Sequence, residues 1–174
     1  DLVEYVVDLA VRNGPVAAAD DLIARRVASQ RLALCAAPAY LRAHPAPRSL
    51  ADVETHVAIG YARDGRVTPW RFPTEEGERL LRPKSRLHFD DLEAIADAAV
   101  AGSGLAWLPV WLIADRLAEG SLVTLLDDMP GFRLETVALW PRSRPLPFRV
   151  RAAIDALVDE LPKLEGMSAG GPLG

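Results

Sequence analysis

Short apolar runs alternating with helical patterns predict an α/β protein, and three observations carry that reading. Leu92, Ile95, Ala96, Ala99 and Val100 recur at spacings of three and four, the mark of one buried helical face. Val150, Ala153, Ile154, Leu157, Val158 and Leu161 repeat the pattern near the end of the chain, with Pro147 suited to the first turn. Between and before these helices lie brief Val-, Ile- and Leu-rich segments bounded by Gly, Pro, Asn and Asp, which read as strands. Strands separated by helices imply largely parallel sheets.

In chain order, Leu2, Val3 and Val6 suit the last turns of a helix, and Val7 to Arg12 reads as a buried strand closed by Asn13-Gly14-Pro15. Leu22 to Ala28 and Arg31 to Ala36 are two further extended segments. Pro38 opens a short helix ending near Ala43, and Ser49 can cap another running to Glu54. Val57 to Tyr61 is strand-like and Arg63-Asp64-Gly65 a turn. Thr68 to Phe72, Arg79 to Leu81 and Arg86 to Phe89 complete a β-rich stretch. Asp90 and Glu93 resemble a capping box for the helix over 92–100, which Gly102-Ser103-Gly104 terminates. Leu105 to Leu108 is a buried strand, Pro109 opens a helix to about Leu117, and Leu122 to Leu126 and Leu134 to Trp140 are strands. Gly166 to Gly174, rich in glycine, reads as a flexible tail.

Composition excludes several function classes. Half of the 174 residues are hydrophobic and a quarter charged, normal for a globular chain. A net charge of -4 with scattered basic residues argues against a phosphate backbone as this chain's partner. Cys35 is the single cysteine, so no intrachain disulfide can form, and a reducing cytoplasm is the expected compartment. No run approaches the roughly 18 apolar residues of a membrane span, and the opening residues lack the pattern of a signal peptide.

Catalytic and metal motifs are missing as well. Cys35 has no adjacent histidine, and His44, His56 and His88 share no metal-ligand spacing. Gly102-Ser103-Gly104 fails as a dinucleotide fingerprint, because Trp107 stands where the third glycine belongs and the glycines follow a helix rather than a strand. Neither enzyme, metal nor cofactor is expected. Asp90 and Asp91 form a carboxylate pair that could cap a helix or hold a cation. Arg12 sits at the carboxyl end of a predicted strand, where open α/β sheets place ligands, and could grip a carboxylate or serve a structural ion pair.

Read in order, the landmarks resemble the effector-binding domain of LysR-type transcriptional regulators from about Leu2 to Leu161. They are Asp8-Leu9-Ala10-Val11-Arg12-Asn13-Gly14-Pro15; Leu34-Cys35-Ala36-Ala37-Pro38-Ala39-Tyr40-Leu41; Pro47, Leu50, Asp52 and His56; and Trp70-Arg71-Phe72. Ala101-Gly102-Ser103-Gly104-Leu105-Ala106-Trp107-Leu108-Pro109, Gly120-Ser121-Leu122-Val123, and Arg144-Pro145-Leu146-Pro147 with Arg149-Val150-Arg151 follow. Each piece is weak alone; their order and spacing are specific.

The resemblance implies a two-lobed fold like the type II periplasmic binding proteins. Residues 1–33 and 134–165 would form an incomplete lobe I, 34–133 lobe II, and 166–174 the tail. It implies a small effector held between the lobes, with Arg12, Asn13, Asp90 and Asp91 in the pocket wall and Gly60, Tyr61, Trp107 and Pro109 as further candidates. Trp107 and Tyr61 could equally be core. It also implies a homodimer or homotetramer, and DNA contact only through a winged helix-turn-helix that this chain does not contain. Arg12 points to an organic acid or amino acid as effector, while the two aspartates favour an amine or zwitterion. A solute-binding protein of a transport system would share the fold and is the alternative.

Overall fold

The polar pair Ser29-Gln30 suggests a break between two extended segments, yet β2 (Leu22–Ala36) runs unbroken through it. Both residues are buried inside the ladder, and the Arg133 guanidinium donates to the Ser29 hydroxyl at 3.2 Å and to its carbonyl at 3.3 Å. Satisfied polar groups cost a buried strand little. The computed structural model describes residues 8–14, 21–82, 84–129, 132–142 and 145–170, in two compact units, 1–31 with 133–174, and 32–132. The expected helix end at Leu2, Val3 and Val6, and Pro15, lie outside the described residues.

In the first unit, β1 (Ala10–Asn13) pairs antiparallel with β10 (Arg133–Pro141), which pairs antiparallel with β2. Helix α5 (Phe148–Glu160), entered through Pro147, packs Val150 and Ile154 on Val27 and Ala138. This is the amphipathic face that the spacing predicts. β1 is not the buried strand expected: Val11, Arg12 and Asn13 are exposed, and β1 takes only β10 as a described neighbour. Nor do residues 166–174 all form a loose tail. Met167–Ala169 make β11, paired with Gln30 to Ala28, and the Arg31 amide donates to the Gly166 carbonyl at 2.7 Å. Glycine serves close approach there: a Cβ on Gly170 would lie 2.7 Å from the Arg26 carbonyl oxygen.

In the second unit, α1 (Pro38–Ala43) and α2 (Leu50–Val53) precede β3 (Val57–Arg63), β4 (Arg66–Val67), β5 (Trp70–Thr74), β6 (Gly77–Leu81) and β7 (Lys84–Phe89). Then come α3 (Leu92–Val100), β8 (Ala106–Pro109), α4 (Val110–Ala118) and β9 (Val123–Leu125). Ile95, Ala96 and Ala99 of α3 pack on Ile59, Ala106, Leu108 and Ile113, while Trp70, Phe72 and Leu81 pack with Leu34, Tyr40 and Leu105 in a second cluster.

The sheets are not largely parallel. Among the described strands only β3 with β7 runs parallel, with a parallel bridge from Ala58 to Leu105. The other pairs are antiparallel for two reasons. Asp64 and Gly65 both take positive φ, 51° and 74°, and close a tight β3–β4 hairpin. The long β2 meanwhile recruits β8, β9 and β10, all running against it. The helix-start reading shifts by one residue: Asp91, not Asp90, is the N-cap of α3, its carboxylate accepting from the Glu93 amide at 2.8 Å. Such a cap contributes about 1 kcal/mol.

His56 gives the fold a pH-sensitive joint. Its Nδ1 lies 3.0 Å from the hydroxyl of Tyr40, whose ring stacks on His44 at 4.3 Å. Burial, then the neighbouring His44, holds the imidazole below its usual value of 6.5. The unfolded chain therefore binds this proton more readily, so stability falls as pH drops through 6.5 and stops falling below the folded-state value. Urea midpoints measured from pH 7.5 to 5 should decline, and His56→Gln should flatten that slope.

Candidate functional site

The parallel pair carries residues 60–61 and 88–91 to one strand end. Gly60 is in register with His88 and Tyr61 with Phe89, after which the chain turns through Asp90 and Asp91 into α3. Gly60, Tyr61, Asp90 and Asp91 are thus brought together at the carboxyl ends of parallel strands, where open α/β sheets bind ligands. Asp91 is partly committed to its cap, and both aspartates are exposed. Further along the helix, Arg116 of α4 gathers Glu93 at 2.9 Å and Asp97 at 2.7 Å. The Asp97 hydrogen bond raises the Arg116 pKa. Those two carboxylates face a cation of their own, and Asp90 has no described ion-pair partner.

Arg12 and Asn13 belong to the other unit. They end β1, with Arg12 opposite Val137 and Asn13 opposite Thr136. The Asn13 side-chain oxygen accepts from the Thr136 hydroxyl at 2.8 Å, which fixes the amide, whereas Arg12 is exposed without a described ion-pair partner. Trp107 and Pro109 sit on β8, paired with β2. Trp107 is half-buried, its ring centroid 4.4 Å from Phe72 and 6.2 Å from Phe132, and Pro109 is buried at the start of α4. Both belong to the packing of the second unit.

Of the eight expected residues, only Gly60 is among the described residues lining a partly open cavity of about 190 Å³ formed by residues between 58 and 88. Thr68, Trp70, Arg82, Ser85 and His88 also line it, and sequence reasoning singled out none of them as a ligand group. The legible signal was Gly60 itself: a Cβ there would stand 2.8 Å from the His88 ring and 3.2 Å from the Ser85 hydroxyl. Among the described residues, no group of three or more His, Cys, Asp or Glu is placed to hold a metal ion, and no helix is long and apolar enough to cross a membrane.

The family profile of the LysR substrate binding domain matches residues 1–162, across both units. The chain belongs to the LysR substrate-binding domain family. Its relatives include the HTH-type transcriptional regulator PtxR of Pseudomonas aeruginosa, 32% identical over 92% of this chain and 51% of PtxR. The HTH-type transcriptional regulator CrgA of Neisseria meningitidis is 29% identical over 92% of this chain and 54% of its own. The chain spans about half the length of these curated relatives. Among solved structures, the CrgA regulatory domain of Neisseria meningitidis superposes with a TM-score of 0.76 at 25% identity, covering 91% of this chain and 78% of that one. The regulatory domain of AphB from Vibrio vulnificus gives 0.72 at 28%, covering 91% and 76%. This LysR domain has the α/β, periplasmic-binding-protein-like fold of those regulatory domains. It is a ligand-sensing regulatory domain of the LysR type.

Proposed function

We propose that this chain senses a small organic acid or amino acid and passes its occupancy to DNA-binding domains of a longer LysR-type regulator. The observation that carries the effector class is Arg12, an exposed guanidinium without a described ion-pair partner at the carboxyl end of β1. An Arg in that position can grip a carboxylate bidentately. Asp90 and Asp91, at the carboxyl ends of β3 and β7, suit the ammonium of an amino acid, and Gly60 and Tyr61 would form the adjoining wall. Trp107 and Pro109 would act through packing.

Residues 1–33 with 134–165, and 34–133, would act as lobes I and II of this sensor. Regulation works only if the effector prefers one arrangement of the regulator over another, since a ligand shifts an equilibrium by its differential affinity alone. Homodimers or homotetramers would carry the change, and DNA would be contacted by a winged helix-turn-helix outside this chain. The reading is non-enzymatic, cytoplasmic and free of cofactors. The relatives named as transcriptional regulators favour it over a solute-binding role in transport.

Thermal-shift screening of the complete sensor domain against carboxylates, amino acids and aromatic acids tests this. A compound that raises Tm on the parent domain and fails to do so on Arg12→Ala supports the effector class. If full-length regulator binds its promoter region but no acid or amino acid shifts Tm, or the shift survives Arg12→Ala, the assignment fails.

A further inference from the structure

The cavity of about 190 Å³ lies wholly within the second unit, between the β3/β7 pair and the segment that leads through β4 into β5. Its volume exceeds the roughly 150 Å³ that suffices for a benzene-sized guest. Its wall divides chemically. Ala58, Val67, Pro69 and Trp70 make an apolar side with one large aromatic ring. Arg82, Thr68 and His88 line it as well, and none of the three has a described side-chain partner. Ser85 is different. Its hydroxyl donates to the Leu87 carbonyl at 2.7 Å, so it has no proton left to give a ligand.

Among the described residues no aspartate or glutamate lines the cavity, so none of them opposes the charge of Arg82 there. The side chains of Arg71 and Arg79, on the neighbouring β5 and β6, are engaged by Glu78 at 2.7 Å and Glu54 at 3.4 Å. Arg82, the next arginine along the chain, is not. A space lined by an arginine, a threonine and a histidine together with aromatic and aliphatic residues fits an anion carrying a compact apolar body. Inorganic sulfate or phosphate would leave the Trp70 side empty.

We propose that the second unit contains its own binding site for a small monocarboxylic acid, with Arg82 and Thr68 receiving the carboxylate and Trp70, Val67 and Pro69 its apolar body. Gly60 keeps the site open. A side chain there would drive into the His88 ring at 2.8 Å and the Val67 methyl at 3.3 Å, moving the wall into the cavity. The site goes beyond the Arg12 reading, because none of its residues belongs to β1 and it would bind acids whether or not Arg12 does.

Benzoate is the probe, titrated into the intact 174-residue chain by calorimetry and followed by NMR at the Thr68 amide, the Trp70 indole N–H and the His88 ring. Saturable binding with shifts at those three groups is expected, together with at least a tenfold loss of affinity on Arg82→Gln. Thr68→Val should lose severalfold, and Arg12→Ala should stay within twofold of the parent. Benzamide, lacking the charge, should bind at least tenfold more weakly than benzoate and be insensitive to Arg82→Gln. Arg82 is exposed, so its substitution should leave the circular dichroism spectrum unchanged. The proposal is overturned if benzoate does not bind at millimolar concentration, if its shifts fall elsewhere, if Arg82→Gln binds as the parent does, or if sulfate competes as well as benzoate. Loss of binding on Arg12→Ala with Arg82→Gln unaffected would sink this site and leave the effector assignment standing.

Discussion

Gly104→Ala should lower the unfolding free energy by roughly 3 to 5 kcal/mol, the sum expected from backbone strain and overpacking at a site that cannot relax. Gly104 holds φ at 150°, a conformation L side chains rarely adopt. An added Cβ would lie 2.6 Å from the Val57 carbonyl oxygen and 3.1 Å from its carbon. Neither atom can yield. The same carbonyl accepts from the Leu105 amide at 2.9 Å, and Leu105 in turn accepts from the Ile59 amide at 2.9 Å. That pair of bonds is the seam where the strand leaving α3 joins β3. Opening it by a few tenths of an ångström disturbs Ala58, Ile59 and Leu105, all of them buried in the two clusters. Gly120→Ala is the control, since a Cβ there meets nothing within 4 Å and only the positive φ of 72° opposes it. Urea denaturation of both variants beside the parent checks the difference. A Gly104→Ala protein within 1 kcal/mol of the parent would mean that the seam is not rigid.

That glycine shows how far the sequence could be read. Gly102-Ser103-Gly104 is visible as a helix terminator, and the run through Pro109 is a landmark of the resemblance; but which glycine admits a carbonyl depends on Val57, 47 positions earlier in the chain. Local signals behaved likewise elsewhere. Pro38, Ser49, Pro109 and Pro147 mark four helix starts that the structure places at those residues, since capping and proline geometry are settled within one turn. The direction of strand pairing was not legible, because it depends on β2 meeting β8, β9 and β10 from distant parts of the chain. Met167–Ala169 reads as part of a tail because the glycines around it mask any period, and its pairing is decided by the backbone of β2. For the site, Gly60, Tyr61, Asp90 and Asp91 share one strand end, which follows from the β3/β7 register. The donors around the cavity were hidden: Thr68, Arg82 and His88 are spread over 21 residues and meet only through the β3/β7 register and the returning β5–β6 hairpin.

Cys35 should be chemically silent in the native protein. It lies in β2 with no exposed surface, among Ile59, Ile95, Ala106 and Leu108, and burial pushes its thiol up to about 12 from an ordinary 9.0. The thiolate is the reactive form, so at pH 7.5 its population falls about a thousandfold below that of an exposed thiol before access is considered. With no second cysteine in the chain, a disulfide would need another molecule, and the sulfur does not reach the surface. Native protein treated with an aromatic disulfide reagent should therefore release chromophore at least a thousandfold more slowly than the same protein in 6 M guanidinium, roughly the denaturant needed to expose a stable core. If the native reaction runs within tenfold of the denatured one, the β2 core opens far more often than its packing implies. Cys35→Ala separates packing from redox chemistry. It should lower stability by about 1 kcal/mol, as removal of a small buried group does, and leave any response to peroxide unchanged. With its one sulfhydryl closed off in this way, the domain leaves ligand sensing to its shape and its charged groups, for which Arg12, Asp90 and Arg82 are the groups proposed.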